Sequence, residues 1–377
     1  MLVVLSLIGT RPEAIKMAPV IHELSKHSDR ITSLVCVTGQ HREMLSQVLD
    51  VFGIHSDFDL EVMEPDQMLS KLTAELFTRL DPVVRETRPD WIIAEGDTTT
   101  VLVAALVSYY HKIHFGHVEA GLRTGDKFRP FPEEMNRRIA DGLADALFAP
   151  TQRSRENLLR EGVSNDRVLV TGNTIVDALL DVAARPYDWN TSPLSRIPTD
   201  RRLVLITAHR RESFGAPLRE ICFAIKELAL RSESREFHFV YPVHLNPNVG
   251  RPVREILSGL SNVSLIEPLD YLSMIQLMKR STLILTDSGG IQEEAPSLGV
   301  PVLVMRDTTE RPEGIEAGVA RLVGTNRSRI VEEAARLLRD PVARGAMVIE
   351  ANPYGDGKAA SRIVSFLQRG SERKRDC

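Results

Sequence analysis

Short runs of apolar residues alternate along the chain with longer segments in which apolar residues recur at helical spacing. The runs are typical of β-strands buried on both faces, and the longer segments of amphipathic helices. In the first half the predicted strands are "LVVLSLIG", "SLVCVTG", "WIIAEGD", "IHFGHVEAG" and "ALFAP", and helices are predicted for "AIKMAPVIHELSKH", "MLSKLTAELFTRLDPVVRET" and "TTVLVAALVSYYHK". The alternation predicts an α/β fold in which helices cover both faces of a parallel sheet.

The same alternation begins again in the second half of the chain. The stretch "YDWNTSPLSRIPTD" contains Pro, Ser and Asp and indicates a linker or a long loop. Beyond it the predicted strands "RLVLITAH", "FHFVYPV", "VSLIEPL", "TLILTDSGG" and "PVLVMRD" are each followed by a plausible helix. A chain of 377 residues is also too long for one ordinary core. We therefore predict two Rossmann-like, doubly wound domains, with residues 1–172 in the first and residues 173–356 in the second.

Composition places the chain among soluble globular proteins. It is 43% hydrophobic and 26% charged, and no apolar run approaches the about 20 residues of a membrane helix. The net charge of −4 gives no overall positive field for nucleic acid, although the tail "RGSERKRDC" is locally basic. The opening "MLVVLSLIGTRPEAIK" lacks the basic leader and cleavage site of a signal peptide, so we interpret it as a first strand.

The cysteines give a further indication of the compartment. Cys36, Cys222 and Cys377 have neither CxxC spacing nor an even count. This pattern argues against a disulfide framework and against a zinc site. We therefore predict a protein of the reducing cytoplasm.

Polar residues follow nearly every predicted strand. The strand ends read "IGTRPEAIK", "TGQHRE", "AEGDTTT" and "HVEAGLRT" in the first half, and "TAHRRESFG", "YPVHLNPN", "TDSGGIQEE" and "MRDTTERPE" in the second. Any one polar loop is ordinary, since loops lie on the surface. Open parallel sheets, however, bind ligands outside the carboxyl ends of their strands. The eight ends together predict a ligand site between the two domains.

One of these loops has the features of a phosphate site. Neither the dinucleotide fingerprint GxGxxG nor the P-loop GxxxxGK[ST] is present, so we predict no nucleotide cofactor. The stretch "TDSGGIQEEA" instead places Ser288, Gly289 and Gly290 at a predicted helix start, where free N–H groups suit a diphosphate. Ser and Gly are also plain N-cap residues. Glu294, one turn further on, would accept the hydroxyls of a ribose or lie in solvent.

Basic side chains that suit a diphosphate occur in the same strand-end loops. Arg11 and Lys16 follow the first strand, His209 and Arg210 lie in "TAHRRE", and Arg311 lies in "TTERPE". An arginine or a histidine beside a phosphate stabilises the charge that grows on a leaving group. Surface ion pairs are the alternative for Arg11 and Lys16, and a hydrogen-bonded place in the core is the alternative for His209.

Three acids stand at this predicted edge as well. Asp97 ends "WIIAEGD", Glu119 ends "HFGHVEA", and Glu133 opens the helix of "FPEEMNRR". They suit a metal or general acid–base catalysis. Because no further ligands follow at regular spacing, we predict proton transfer and no metal. Asp97 has the alternative role of an N-cap and Glu133 that of a first-turn acid beside the helix dipole, whereas Glu119 has no capping role that we can identify.

These motifs together resemble a known family. "GTRPEAIKMAPVI", "GDTTT", "HVEAGLRT", "FPEEMNRR", "TAHRRESFG", "YPVHLNPN", "TDSGGIQEEAPSLGVPVLVMRDTTERPE" and "NPYGDGKAASRI" resemble the non-hydrolysing UDP-N-acetylglucosamine 2-epimerases from start to finish. The resemblance implies a GT-B arrangement of the two domains with an interdomain active site, and a homodimer. It also implies that the last helix, residues 357–370, packs back on the first domain.

The resemblance implies a reaction and roles for the candidate residues. The family interconverts UDP-N-acetylglucosamine and UDP-N-acetylmannosamine by eliminating UDP to 2-acetamidoglucal and adding it back. Asp97, Glu119 and Glu133 would line the sugar and exchange the C2 proton, and Glu294 would take the ribose. The groups implied to hold UDP or the rest of the substrate are His209, Arg11, Lys16, Arg137, Ser288, Gly289, Gly290 and Arg311.

Many bacterial members of the family are activated by their own substrate in a second pocket. Gln40, Glu43, Arg210 and His244 match that pocket, whereas Asp66 stands where some members carry a basic residue. Three alternatives to the epimerase remain open from the sequence. They are a hydrolysing 2-epimerase, a GT-B glycosyltransferase that uses a UDP-sugar, and a nucleotide-sugar sensor without turnover.

Overall fold

The computed structural model describes residues 1–39, 42–64, 67–231, 236–349 and 351–372, except for the side chains of residues 42–44 and 370–372. The chain forms two compact units. The first contains Met1–Ala178 and the described residues from Tyr354 onward, and the second is Leu179–Pro353. Each is built on its own sheet.

All strand pairings of the first unit's sheet are parallel. Its strand order in the described residues is β3-β2-β1-β4-β5-β6-β7, a doubly wound pattern with β1 near the centre. The strands are Leu2–Ile8 (β1), Ile31–Val37 (β2), Phe58–Asp59 (β3), Trp91–Glu95 (β4), His114–Val118 (β5), Ala146–Ala149 (β6) and Val168–Val170 (β7).

Helices follow the strands of this unit, as the periodicity predicts. The limit between the two units falls inside the last helix of the following list. The helices are Arg11–Ser25 (α1), Arg42–Phe52 (α2), Leu69–Thr87 (α3), Thr99–His111 (α4), Glu133–Leu143 (α5), Gln152–Arg160 (α6) and Thr174–Ala183 (α7).

The second unit repeats this construction with parallel pairings in the order β10-β9-β8-β11-β12-β13, again counted over the described residues. Its strands are Arg202–Thr207 (β8), Phe237–Pro242 (β9), Val263–Ile266 (β10), Ser281–Thr286 (β11), Val302–Val304 (β12) and Ala320–Leu322 (β13). Its helices are Ala216–Leu230 (α8), Pro247–Leu257 (α9), Tyr271–Arg280 (α10), Gly289–Glu294 (α11), Pro312–Glu316 (α12), Arg327–Arg339 (α13) and Pro341–Gly345 (α14).

The stretch 187–200, between α7 and β8, has no helix or strand. It is a long loop that packs on the second unit, because Leu194 and Ile197 are buried. Among the described residues no helix combines the length and the apolar character that crossing a membrane requires.

The final helix, Ala359–Glu372 (α15), belongs to the first unit. The Asp177 carboxylate accepts the backbone N–H groups of Ala359 and Ala360 at 3.2 and 2.9 Å and so caps its start. The Phe366 ring meets the rings of Trp91 and Phe148 edge-on, with centroids 6.5 and 5.5 Å away. The helix thereby covers β4 and β6, the strands to which these two aromatic residues belong.

Candidate functional site

The predicted acids of the first unit lie at the carboxyl ends of neighbouring strands. Asp97 follows β4 by two residues, Glu119 follows β5 directly, and Glu133 is the first residue of α5. Because β4 and β5 pair in parallel, their carboxyl ends share one edge of the sheet. Arg11, the first residue of α1, follows β1 at the same edge.

Lys16 joins two of the strand ends. Its Nζ lies 2.5 Å from Glu119 Oε2 and 3.0 Å from Glu95 Oε1, and all three side chains are at most 11% exposed. Burial raises the pKa of Glu95 well above its ordinary value, although the Lys16 ammonium lowers it, and the Glu119 and Glu13 carboxyls raise it further. We call Lys16, Glu95 and Glu119 the Lys16 cluster. One cation here faces two carboxyls.

The backbone of Glu119 is in the left-handed region, with φ at +67°. This conformation turns the chain sharply where β5 ends and differs from the extended backbone of the strand. The side-chain amide of Asn173 donates to Glu119 Oε2 at 2.8 Å. Lys16 and Asn173 therefore hold one carboxylate oxygen of Glu119 from two directions.

Glu13 is a further buried carboxyl and lies just after β1. Its Oε2 accepts the N–H groups of Gly9 at 2.5 Å and Thr10 at 3.0 Å, and Thr10 caps α1 in return as a capping box. Burial raises the pKa of Glu13 from 4.5 to about 7, against these hydrogen bonds, which lower it. The Glu13 carboxyl thus changes charge near neutral pH.

Replacing Glu13 with glutamine is expected to change how stability depends on pH. Between pH 4.5 and about 7 the unfolded chain releases the Glu13 proton while the folded chain keeps it. The free energy of unfolding therefore falls by up to about 3 kcal/mol as pH rises through this window, and Glu13→Gln removes the fall. Urea unfolding at pH 5 and pH 8 measures it, with Trp91 of the first unit as reporter in a Trp189→Phe background. A stability difference between variant and parent that is equal at both pH values would contradict the assignment.

Asp97 is paired with the predicted substrate-binding residue Arg137. The Arg137 Nη2 atom lies 2.7 Å from Asp97 Oδ2, and its Nη1 lies 3.7 Å from Glu134 Oε2. The Asn136 side-chain amide donates to the Asp97 backbone carbonyl at 2.9 Å. These contacts join α5 to the end of β4. Asp97 does not cap α4, whose N-cap is Thr98.

Glu133 and Glu134 have different surroundings although they are neighbours. Glu134 is fully buried and accepts the N–H groups of Thr124 and Gly125 at 3.1 and 3.3 Å. The Oε2 atom of Glu133 is buried and accepts no hydrogen bond from the part of the chain that the structure describes. Glu134 therefore fixes the loop before α5, whereas no described residue donates to this Glu133 oxygen.

His117, which the sequence analysis did not single out, lies buried in β5. Its Nδ1 is 2.6 Å from Asp141 Oδ1 and its Nε2 is 2.7 Å from the Gly96 carbonyl oxygen. Burial lowers the pKa of His117, but the Asp141 carboxylate and the Gly96 carbonyl raise it more, so that it lies above its ordinary value. The only feature of the sequence that could have drawn attention to His117 is that a histidine stands within an apolar strand.

In the second unit the predicted catalytic residue His209 follows β8. Asp287 Oδ2 accepts the backbone N–H groups of His209 and Arg210 at 2.7 and 2.8 Å, which fixes this turn. The rings of His209 and His244 are stacked, with centroids 5.5 Å apart and planes 6° from parallel. Burial, His244 and Arg210 lower the pKa of His209, and the Asp287 carboxylate raises it less.

The predicted phosphate-binding residues stand at the start of α11, with Ser288 as N-cap and Gly289 and Gly290 as the first helical residues. A Cβ atom at Gly289 would lie 2.8 Å from the Arg311 guanidinium carbon, so only glycine fits there without a shift. The Arg311 Nε donates to Glu293 Oε1 at 2.9 Å. The structure thus places Arg311 directly against the glycine turn.

Glu294 ends α11 and is buried. Its Oε1 accepts a hydrogen bond from the Tyr271 hydroxyl at 2.9 Å. The alternative of a solvated glutamate is therefore wrong. A hydroxyl donor already holds the Glu294 carboxylate, as a ribose hydroxyl would.

Several predicted residues fall outside this description. Gln40 and Asp66 lie outside the described residues, and Glu43 lies in α2 with its side chain outside them. Over the described ranges, no group of three or more His, Cys, Asp or Glu side chains is arranged to hold a metal ion.

Two of the three cysteines lie among the residues that the structure describes. Cys36 and Cys222 are buried free thiols, and burial raises the pKa of each to about 12. Cys377 lies outside the described residues.

Comparisons with known proteins agree with one another. A family model described as UDP-N-acetylglucosamine 2-epimerase matches residues 22–368. The UDP-N-acetylglucosamine 2-epimerases of Yersinia pestis and Escherichia coli (strain K12) are 53% and 52% identical to this chain over 371 residues, 97% of this chain and 98% of each relative. The crystal structure of the Neisseria meningitidis UDP-GlcNAc 2-epimerase bound to UDP-GlcNAc is 47% identical and covers 98% of this chain and 100% of its own, with a TM-score of 0.88.

These similarities extend over nearly the whole chain at identities near one half. They confirm the predicted α/β fold class and the predicted enzyme class, an isomerase of nucleotide sugars. The chain therefore belongs to the UDP-N-acetylglucosamine 2-epimerase family.

Proposed function

We propose that this chain inverts C2 of UDP-N-acetylglucosamine by eliminating UDP and adding it back. The observation that carries the proposal is Glu119, held by Lys16 and Asn173 at a strand end, with Asp97 two residues beyond the neighbouring strand. A carboxylate placed beside C2 of the sugar can accept its proton. The Lys16 ammonium is paired with the Glu119 carboxylate at 2.5 Å.

The proposed reaction needs a proton carrier on each face of the sugar. A base takes the C2 proton while the bond from C1 to the UDP oxygen breaks, and a C1–C2 double bond forms in 2-acetamidoglucal. UDP then attacks C1 again while an acid delivers a proton to the opposite face of C2. Asp97, Glu119 and Glu133 are the proposed carriers, and Arg137, which holds Asp97, is proposed to contact the substrate as well.

The second unit is proposed to hold UDP while its bond to the sugar breaks. The N–H groups at Gly289 and Gly290, the Ser288 hydroxyl and the Arg311 guanidinium suit the diphosphate, whereas the Ser288 N–H already donates to Thr286 Oγ1 at 2.9 Å. His209 is proposed to stabilise the leaving oxygen, and Glu294 to take the ribose. From the first unit, Arg11 is a further proposed ligand, and Lys16 would bind phosphate only by giving up contacts to carboxylates.

Proton NMR of UDP-N-acetylglucosamine with the protein in D2O tests the proposal, with no acceptor or metal added. We expect deuterium at C2 and a UDP-N-acetylmannosamine signal that grows to a constant ratio while UDP stays attached. Free sugar and UDP would overturn it in favour of a hydrolysing epimerase. Unchanged signals would overturn it in favour of a UDP-sugar transferase or a sensor without turnover.

We also propose that substrate activates the protein through a second pocket that includes His244 and Arg210. The stacked rings of His209 and His244 support this, since a ligand beside one ring would contact or shift the other. We expect a sigmoidal dependence of rate on substrate that becomes hyperbolic in His244→Ala. A hyperbolic curve for the unmodified protein would contradict it.

The homodimer implied by the resemblance is proposed as well. Light scattering coupled to size exclusion tests it, and the mass of a single chain of 42.1 kDa would contradict it. The cytoplasm remains the predicted location.

A further inference from the structure

His117 has an unusual set of partners for a fully buried histidine. Its Nδ1 faces the Asp141 carboxylate at 2.6 Å, and its Nε2 faces the Gly96 carbonyl at 2.7 Å. The Gly96 carbonyl can only accept a hydrogen bond, and so can the Asp141 carboxyl when it is ionised. A neutral imidazole has a single N–H to donate and cannot satisfy both acceptors. The two short contacts are therefore satisfied together by the imidazolium form.

The same ring touches each of the three segments that carry the proposed acids. His117 itself stands two residues before Glu119 on β5. The carbonyl that it bonds belongs to Gly96, whose peptide leads into Asp97. The carboxylate that it bonds belongs to Asp141 on α5, the helix that Glu133 opens.

The charges nearest this ring, on Asp141 and Arg123, are buried. Asp141 Oδ2 accepts the Gly121 N–H at 3.3 Å and lies 2.8 Å from Arg123 Nη2. Arg123 is held in turn by Glu161 at 2.6 Å. Among the described residues, Arg123 of the loop after β5 is the other charged group that acts on His117 and Asp141, and Glu161, which follows α6, pairs with Arg123. The network ties the loop after Glu119 to the same carboxylate.

We propose that His117 is a positioning residue for proton transfer, which as an imidazolium fixes the segments that carry Asp97, Glu119 and Glu133 relative to one another. The inference rests on the proposed function, because these acids are its proton carriers. His117 touches no reacting atom in this proposal. Its effect passes through the peptide of Gly96 and through α5, and misplacing a catalytic group by about 1 Å costs on the order of 100-fold in rate.

Two substitutions at position 117 separate its two contacts. In His117→Asn the amide nitrogen reaches about where Nδ1 lies, so it keeps the bond to Asp141 and loses the bond to Gly96. In His117→Gln the amide nitrogen reaches about where Nε2 lies, so it keeps the bond to Gly96. We expect kcat to fall about 100-fold in His117→Asn, with KM within about threefold. In His117→Gln we expect a fall of less than about 10-fold, because Asp141 is still held by Gly121 and Arg123 when its bond to the ring is lost.

Asp141→Asn tests the charge of the ring. The new amide nitrogen can donate to Nδ1 while its oxygen still accepts from Gly121 and Arg123, so a neutral His117 can keep the bond to Gly96. The parent protein loses one of its two ring contacts when His117 deprotonates at high pH. We therefore expect the parent's kcat to fall at high pH and the fall to be absent, or moved to higher pH, in Asp141→Asn.

The measurement is deuterium entry at C2 in D2O together with kcat, KM and UDP affinity for the parent and the three variants. Unchanged UDP affinity and a cooperative urea transition above the assay conditions show that a variant is folded. Parent turnover with a His117→Asn kcat within about threefold of the parent would overturn this inference alone. A parent without any exchange would overturn the proposed function first. Equal losses in His117→Asn and His117→Gln would overturn the positioning role in favour of a general packing role.

Discussion

Replacing Glu119 with glutamine is expected to lower the rate of deuterium entry at C2 by about 1,000-fold at saturating substrate. Glutamine has nearly the same shape and can still accept from Lys16 and Asn173, but it cannot take a proton from carbon. NMR in D2O measures the loss, starting separately from UDP-N-acetylglucosamine and from UDP-N-acetylmannosamine. Because each acid is proposed to serve one face, elimination should be lost mainly from one of the two epimers.

Glu86→Gln is the matched control for this experiment, since Glu86 is an exposed residue of α3 that precedes the start of β4, at the opposite edge of the sheet from the carboxyl ends of the strands. Its exchange rate should equal that of the parent. Asp97→Asn and Glu133→Gln complete the set and assign the faces. Exchange in Glu119→Gln at the parent's rate from both epimers would remove Glu119 from the proton path.

Replacing Lys16 with methionine is expected to lower the free energy of unfolding of the first unit by about 3–5 kcal/mol at pH 8. The substitution leaves Glu95 and Glu119 buried together without their cation. The Glu95→Gln and Lys16→Met double variant should recover part of the loss, because one of the two buried carboxyls is then gone. Urea unfolding followed by Trp91 in the Trp189→Phe background measures all three proteins.

Lys26→Met is the control on the same stretch of chain, because Lys26 forms an exposed pair with Glu23. The free energy of unfolding of Lys26→Met should be at most about 1 kcal/mol below that of the parent. UDP affinity of Lys16→Met separates the two roles of the lysine. A protein of unchanged stability with weakened UDP binding would contradict the structural role in the Lys16 cluster and would place Lys16 on the diphosphate.

The strands and helices that build the two sheets could be predicted because parallel strands are buried on both faces and read as apolar runs. The edge strands β3, β7 and β13 were not predicted as strands. They have two or three residues each, and three residues give no period to detect.

The strand-end rule found Asp97, Glu119 and His209 because each lies within three residues after an apolar run. It missed Glu95, His117 and Asp141, which lie inside a strand or a helix. The partners of these residues are distant in sequence: Lys16 and Glu119 are 103 positions apart, and His117 and Asp141 are 24 apart. No local pattern encodes such pairings. A charged residue in an apolar strand indicates only that some partner must exist.

Because Glu119 has a left-handed backbone, selection for stability and selection for activity can favour different residues at this position. A residue with a Cβ atom in this conformation costs the fold roughly 1–2 kcal/mol compared with its ordinary backbone, and glycine would relieve that strain. Glycine would also remove the contacts that Glu119 Oε2 makes with Lys16 and Asn173. At position 119 relief of backbone strain and loss of these buried contacts therefore oppose each other, and any glycine variant would lack the acid proposed to move the C2 proton.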